Sequence, residues 1–167
     1  PVLSSPENFC VLPSTKQEIK MRPFLVKEQK ILYMALESKD EKEIANAVVR
    51  ILESCIITEG IKVRKLPSFD VEYVFLKLRA SSVGEEINVK LGHIDGECDH
   101  MTEVAISIDD IKVPEMIDRS NKISLNDTTG MLLRYPNLED TLKTSAAKTE
   151  TDKLFHLVQS CIDNIYD

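Results

Sequence analysis

Three side chains that ligate transition metals fall close together, His93, Cys98 and His100. Zinc takes thiolate and imidazole ligands at about four tetrahedral positions. Asp95, Glu97 and Asp99 lie among the three and are poor fourth partners for a structural site. A closed site requires a complete ligand set. The segment therefore reads as a polar hairpin loop, with a small metal-stabilised protein-binding module as the alternative. The same loop holds the neighbouring pair Cys98 and His100, and no G-x-S-x-G elbow presents a nucleophile. His156 falls near the apolar stripe of a C-terminal helix, and a general base there would need a positioned partner. Glu85–Glu86 and Asp109–Asp110 are adjacent pairs. Adjacent residues on a strand point to opposite faces, so neither pair makes a carboxylate dyad. There is no Gly-rich phosphate loop. The paired roles of an active site are missing, which points away from an enzyme and calls for no cofactor.

Charge and cysteine usage narrow the partners. Lys and Arg total 21 against 28 Asp and Glu, a formal charge of −7. Duplex binders draw affinity from phosphate neutralisation and need the opposite balance. Lys62, Arg64 and Lys65 form the one compact basic group, too few cations to argue for nucleic acid. Cys10, Cys55, Cys98 and Cys161 lie far apart. Cys55 and Cys161 fall on apolar helix faces, where a thiol acts as a small hydrophobe. No apolar run approaches the roughly 20 residues that span a bilayer, and the N-terminus lacks the basic-then-apolar layout of a secretory signal. The expectation is an intracellular protein with free thiols, touching neither membrane nor nucleic acid.

The elements that must position any surface follow from length and period. At 167 residues, with 43% hydrophobic and 29% charged, the chain fits one globular domain. Residues 1–22 carry Pro6 and Pro13, with Pro23 just after, which excludes a long helix, yet Val2, Leu3, Phe9, Val11 and Leu12 are apolar. They predict an extended arm packed on this domain or on a neighbour, ahead of a single domain over 23–167. Pro23 suits a first helical turn. Leu25, Gln29, Leu32, Ala35 and Leu36 then share a face. A second helix from Asp40, with Ile44, Val48, Ile51, Leu52 and Cys55 inward and Gly60 as its stop, completes an antiparallel helical hairpin. A third helix opens at Pro67, with Ser68 or Asp70 as cap. Val71, Val74, Phe75 and Leu78 form its core face, and Gly84 ends it. Tyr73 and Leu76 make it apolar on more than one side, so it is central or covered by a partner.

The second half changes period. Ile87, Val89 and Leu91 alternate with polar residues, as do Val104, Ile106 and Ile108, and the loop from Gly92 to Met101 reads as a hairpin connection. Ile111 and Val113 suggest a short extension. Further short strands are expected at Lys122–Leu125 and Gly130–Arg134, then a final helix through Leu154, Leu157, Val158, Cys161, Ile162 and Ile165. Helices, then strands, then a helix argue an α+β domain with an antiparallel sheet. No C-cap signal precedes Asp167, which reads as a chain that continues.

The stretch Phe69-Asp-Val-Glu-Tyr-Val-Phe-Leu-Lys-Leu-Arg-Ala-Ser-Ser-Val-Gly-Glu85 is the most specific in the sequence. With Arg22-Pro-Phe-Leu-Val-Lys-Glu-Gln-Lys-Ile-Leu-Tyr-Met-Ala-Leu-Glu37, Leu66-Pro67, Val104-Ala-Ile-Ser-Ile-Asp-Asp-Ile-Lys-Val113 and Leu132-Leu-Arg-Tyr-Pro136, it resembles the baseplate hub subunit family of T4-type bacteriophages. The likeness runs from about residue 20 to the end. It implies a late viral tail protein of the hub, either kept in the particle or acting in assembly, for instance as a chaperone of the tape-measure protein. The resemblance brings no catalytic residues. The family often carries a Cys-containing turn before the second strand; here only Cys98 matches, beside His100.

A partner-binding surface is the expectation that both readings share. Its candidates are Tyr73 and Leu76 on the third helix, Phe9 and Leu12 on the arm, and Arg79 and Arg134 as polar anchors, since aromatics and Arg are favoured at interface hot spots. The partners implied are other hub or tape-measure proteins, with a second copy of the chain also admitted. The setting is the host cytoplasm during assembly and the tail baseplate after it.

Overall fold

A computed structural model of the chain describes residues 6–92, 100–114 and 120–166. Its elements confirm a mixed α+β protein with antiparallel pairing.

The first is a hairpin. Strands β1 (Asn8–Val11) and β2 (Glu18–Met21) pair antiparallel, with Cys10 opposite Ile19. Alternation sends Cys10, Ile19 and Met21 into the core, with Leu12 beside them, and leaves Phe9 and Val11 outside. The prolines do exclude a helix here, but the backbone pairs with itself. Lys16 takes the left-handed conformation (φ 58°) that closes the turn.

Helix α1 (Val26–Ser38) begins later than Pro23 because residues 22–25 are held extended. The Arg22 N–H donates to the Cys55 carbonyl at 2.9 Å and the Phe24 N–H to Ser82 Oγ at 3.0 Å. Lys39 turns left-handed (φ 56°) and α2 (Glu41–Cys55) runs back along α1. The Asp40 carboxylate accepts from the N–H groups of Lys42 (2.8 Å) and Glu43 (3.1 Å), satisfying two of the helix's free donors. Ala47, Val49, Ile51, Leu52 and Cys55 are buried. The helix stops at Cys55, short of Gly60, because Ile56 bridges to Met21 and the Ile57 N–H donates to the Lys20 carbonyl.

Helix α3 (Ser68–Val83) crosses this layer and ends at Gly84, whose φ of 139° no L side chain adopts comfortably. Val71, Val74 and Leu78 are buried, while Tyr73 and Phe75 pack against the same cluster, so the extra hydrophobicity of α3 makes it central. Neither Ser68 nor Asp70 caps it: the N-cap is Pro67, and Asp70 points into the β1–β2 turn.

Strands β3 (Glu86–Gly92) and β4 (Met101–Ser107) form the expected hairpin, with Val89 opposite Val104 and Ile87 opposite Ile106. Ile108 leaves the strand in a short 3-10 turn and enters the core. Strands β5 (Lys122–Ser124) and β6 (Gly130–Leu133) are present. They belong to a separate three-stranded sheet of order β5-β6-β7, completed by β7 (Ile162–Tyr166), so among the described residues the second half holds two sheets. Between β6 and β7 in sequence comes α4 (Leu138–Ser145), a helix that the apolar period did not announce. It is short and opened by an Asn137–Asp140 capping box, and only eight residues carry its pattern. The final helix α5 (Glu150–Cys161) is shorter than the period suggests. Ile162 and Ile165 lie instead in β7 (Ile162–Tyr166), whose pairing with β6 outcompetes helix continuation.

The main hydrophobic cluster lies between Cys10 and Leu78, with Leu138 packed against it from the second half and Ile108 buried there as well. The bridge Pro67–Asn137, the Ser68 N–H to the Pro136 carbonyl (3.2 Å) and the edge-to-face rings of Phe69 and Tyr135 (5.2 Å) attach the two halves.

Candidate functional site

The side chains chosen from sequence occupy different environments. Leu12 is 1% exposed and belongs to the core. Its alternation with the outward Val11 is the physical reason. Phe9 is 61% exposed, opposite Lys20. Tyr73 is half-buried, with Lys77 Nζ 5.9 Å from its ring centroid. Leu76 is half-buried. Arg79 donates to the carbonyls of Gly84 (3.0 Å) and Glu86 (3.4 Å), which holds the α3–β3 corner. Arg134 donates to Asp140 Oδ2 at 2.8 Å and joins β6 to α4. Tyr73, Leu76 and Arg79 share α3, with Phe9 on the hairpin that packs against it, whereas Arg134 belongs to the second half. Val2, Leu3, His93 and Cys98 lie outside the described residues; His100 is exposed just before β4. Among the described residues no group of three His, Cys, Asp or Glu side chains could hold a metal.

Cys10 and Cys55 pack in the core and Asp140 sits in the capping box of α4. Burial pushes the thiols of Cys10 and Cys55 up to about 11, the wrong direction for a nucleophile. Burial raises Asp140, but the hydrogen bonds from Arg134 and the Asn137 N–H outweigh it and hold the carboxyl below its usual range. A cavity of about 550 Å³ lies between α2 and α4. Val49, Leu138, Leu142 and Ala146 supply its apolar lining and Arg64 stands at the rim, engaged by Glu53 (3.9 Å) and Glu139 (3.6 Å).

What the structure exposes is apolar surface. Helix α5 has no buried residue at all, and its Leu154, Phe155 and Val158, spaced i, i+1, i+4, are all exposed, Phe155 by 71%. In the sheet beside it, Ile123, Met131 and Ile165 are direct partners across β5, β6 and β7 and so form one row on one face. Ile123 and Ile165 are exposed. Helix α1 buries only Glu28 and Ala35 and turns Val26, Tyr33 and Met34 outward. The β3–β4 hairpin carries Ile87, Val89, Leu91, Val104 and Ile106 on one side, none of them buried. Isolated two-stranded hairpins and lone helices of about a dozen residues are marginal in water. Clustered exposure of this kind marks interaction surface.

The sequence announced helices α1 and α5 but not their exposed apolar faces. The signal on α1 was the number of apolar residues: Val26, Ile31, Tyr33 and Met34 lie off the single stripe that a surface helix buries. On α5 periodicity identified an apolar face but not that Leu154 and Val158 stay exposed while Leu157 and Cys161 are half-buried.

A family model described as T4 bacteriophage base plate protein matches residues 6–167. No curated protein and no solved structure matches the chain.

Proposed function

The chain belongs to the T4 bacteriophage base plate protein family, and we propose that it serves as a hub subunit or hub assembly factor acting by binding other tail proteins. The observation that carries this reading is α5, a helix with an apolar stripe and no buried residue. Apolar area of this kind is stabilised when another protein covers it, at about 25 cal/mol per Å² removed from water. Ile123 and Ile165, exposed on either side of the half-buried Met131, and the β3–β4 face present further apolar surface.

The partners proposed are other hub proteins or the tape-measure protein, for which an assembly role would take the form of a chaperone. Nucleic acid fits poorly with a charge of −7. Among the described residues no helix is long and apolar enough to cross a membrane. Nothing in the titratable groups above supports a catalytic role, and binding alone is proposed.

The test is co-purification from phage-infected cells with the tagged full chain, read by mass spectrometry. Recovery of hub or tape-measure proteins supports the reading, and assaying mature particles then separates a component from an assembly factor. Recovery of host proteins alone, or of nothing, contradicts it.

A further inference from the structure

We propose that the cavity between α2 and α4 receives an uncharged apolar side chain, of leucine or phenylalanine type, carried on a peptide segment of a partner protein. The cavity holds about 550 Å³, within the range of roughly 300 to 1000 Å³ found for sites that take small groups. Val49, Leu138, Leu142 and Ala146 give it its apolar lining. Val49 is 2% exposed and belongs to the main cluster, so the core fixes the floor of the cavity.

The chain does not close this gap itself. Helix α4 is fixed at its first end, where the Pro67–Asn137 bridge, the Ser68 N–H to the Pro136 carbonyl and the packing of Leu138 hold it. Among the described residues, no hydrogen bond or ion pair joins its last turn to α2. Ser145 Oγ and the Ala146 N–H both donate to the Leu142 carbonyl of the same helix, at 3.0 and 3.3 Å. The last turn therefore stands off the start of α2, with Leu142 and Ala146 facing the cavity. An apolar gap forfeits the dispersion contacts that a filled one makes, so a group of matching shape is favoured there.

Charge decides the kind of group. Asp40, Glu41 and Glu139 line the cavity together with Lys42, Arg64 and Lys143, so the two signs balance and neither attracts an ion. The Asp40 carboxylate is committed to capping α2. Arg64 is met by Glu139 at 3.6 Å and by Glu53, which stands outside the lining, at 3.9 Å. A charged group entering the cavity would lose hydration against an apolar floor with no surplus of opposite charge to offset the loss. One polar group asks for an acceptor. Asn46 Oδ1 accepts from Arg64 Nη1 at 3.4 Å, which leaves its amide hydrogens to donate. A backbone carbonyl beside an apolar side chain supplies that acceptor, which favours a peptide over a bare hydrocarbon.

The inference rests on the protein-binding reading and narrows it to one pocket and one kind of side chain. The test is titration of N-acetyl-leucyl-phenylalanine amide into the isotope-labelled full chain, followed by amide NMR. Shifts should saturate and cluster at Asn46, Val49, Leu142 and Ala146. This map on wild type tests the site without any variant. Ala146→Trp fills the cavity from an exposed position and should keep the wild-type circular dichroism. It should weaken binding by roughly tenfold or more, about the share of one buried side chain. Lys42→Glu should change binding by no more than about twofold, because surface charge matters little to an uncharged ligand. The same peptide with glutamate or lysine in both positions should bind far more weakly. Shifts that never saturate overturn the proposal, as do shifts confined to α1 or α5. So does equal binding of the charged peptides, or undiminished binding to a folded Ala146→Trp chain. Any of these leaves the baseplate role standing, because the peptide is not a tail protein. Failed co-purification with tail proteins beside a positive titration would remove that role and keep the pocket.

Discussion

The buried Glu28 and the half-buried Arg22 form an ion pair at the junction of β2 and α1, with Nη2 donating to Oε1 at 3.0 Å. The same Oε1 accepts from Ser54 Oγ at 3.0 Å, and Oε2 accepts from the Leu25 N–H at 2.9 Å. One carboxylate therefore joins the end of the hairpin, the start of α1 and the last turn of α2. It also gives the N–H of Leu25, at the N-cap of α1, its acceptor.

Burial would raise the Glu28 pKa, but the hydrogen bonds from Arg22, Leu25 and Ser54 and the Arg22 charge outweigh it and hold the carboxyl at about 2. A carboxyl whose folded pKa is depressed stabilises the fold above its unfolded value, here 4.5, and loses that contribution as pH falls toward 2. At roughly 1.4 kcal/mol per pH unit the span is worth about 3 kcal/mol. Urea unfolding followed from neutral pH downward should show this loss in wild type. Glu28→Gln should be less stable at neutral pH and flatter over the acid window. Parallel pH curves for the two proteins would contradict the account.

Asp70 is fully buried and accepts from the Ser14 N–H at 3.0 Å and from the Ser14 hydroxyl. This latches the β1–β2 turn to α3. Asp70→Ala strands a part-buried N–H and should cost about 1–3 kcal/mol, whereas Ser14→Ala removes one bond and should cost about 1 kcal/mol. Denaturant midpoints measure both. An Asp70→Ala protein as stable as wild type would remove the latch from the argument.

A Cβ at Gly130 would stand 2.5 Å from Tyr166 Oη and 2.9 Å from the Ile123 carbonyl oxygen. The tyrosine can swing aside, but the carbonyl moves only if β5 moves. Gly130→Ala should therefore destabilise by about 1–3 kcal/mol, the usual range for overpacking. The Gly130→Ala, Tyr166→Ala pair should recover only part of it, a coupling that thermal melts of the four proteins resolve.

Leu12 and Phe9 separate core from surface three residues apart. Leu12→Ala should cost about 2–5 kcal/mol through the cavity it leaves. Phe9→Ala should stay within about 0.5 kcal/mol, as exposed substitutions do. Equal losses would mean that the alternation of β1 is misplaced.

Much of the first half was legible in the sequence. The Asp40 cap and the α2 stripe through Ile51, Leu52 and Cys55 are local signals, and they stand in the structure. What failed depended on partners distant in sequence. β1 and β2 are strands because Cys10 and Ile19 face one another and share a core with Leu78. Ile162 and Ile165 fit a helical period equally well, and only pairing with β6 decides for a strand. Asp70 looked like a cap because acceptors at helix starts usually are, but a distant serine took it. The candidate surface was harder still. Apolar residues at helical spacing look the same whether their own domain or another protein covers them: Leu154 and Val158 fit one stripe with Leu157 and Cys161, and only the structure shows them exposed.

The central claim is that this baseplate-family chain works by binding tail proteins. The most direct measurement is gradient sedimentation of assembly intermediates from phage-infected cells, with the chain quantified in each fraction by mass spectrometry. The account predicts that the chain travels with hub or tape-measure intermediates and that Phe155→Glu reduces the amount bound. A chain that sediments apart from every tail intermediate while tails assemble normally would contradict it.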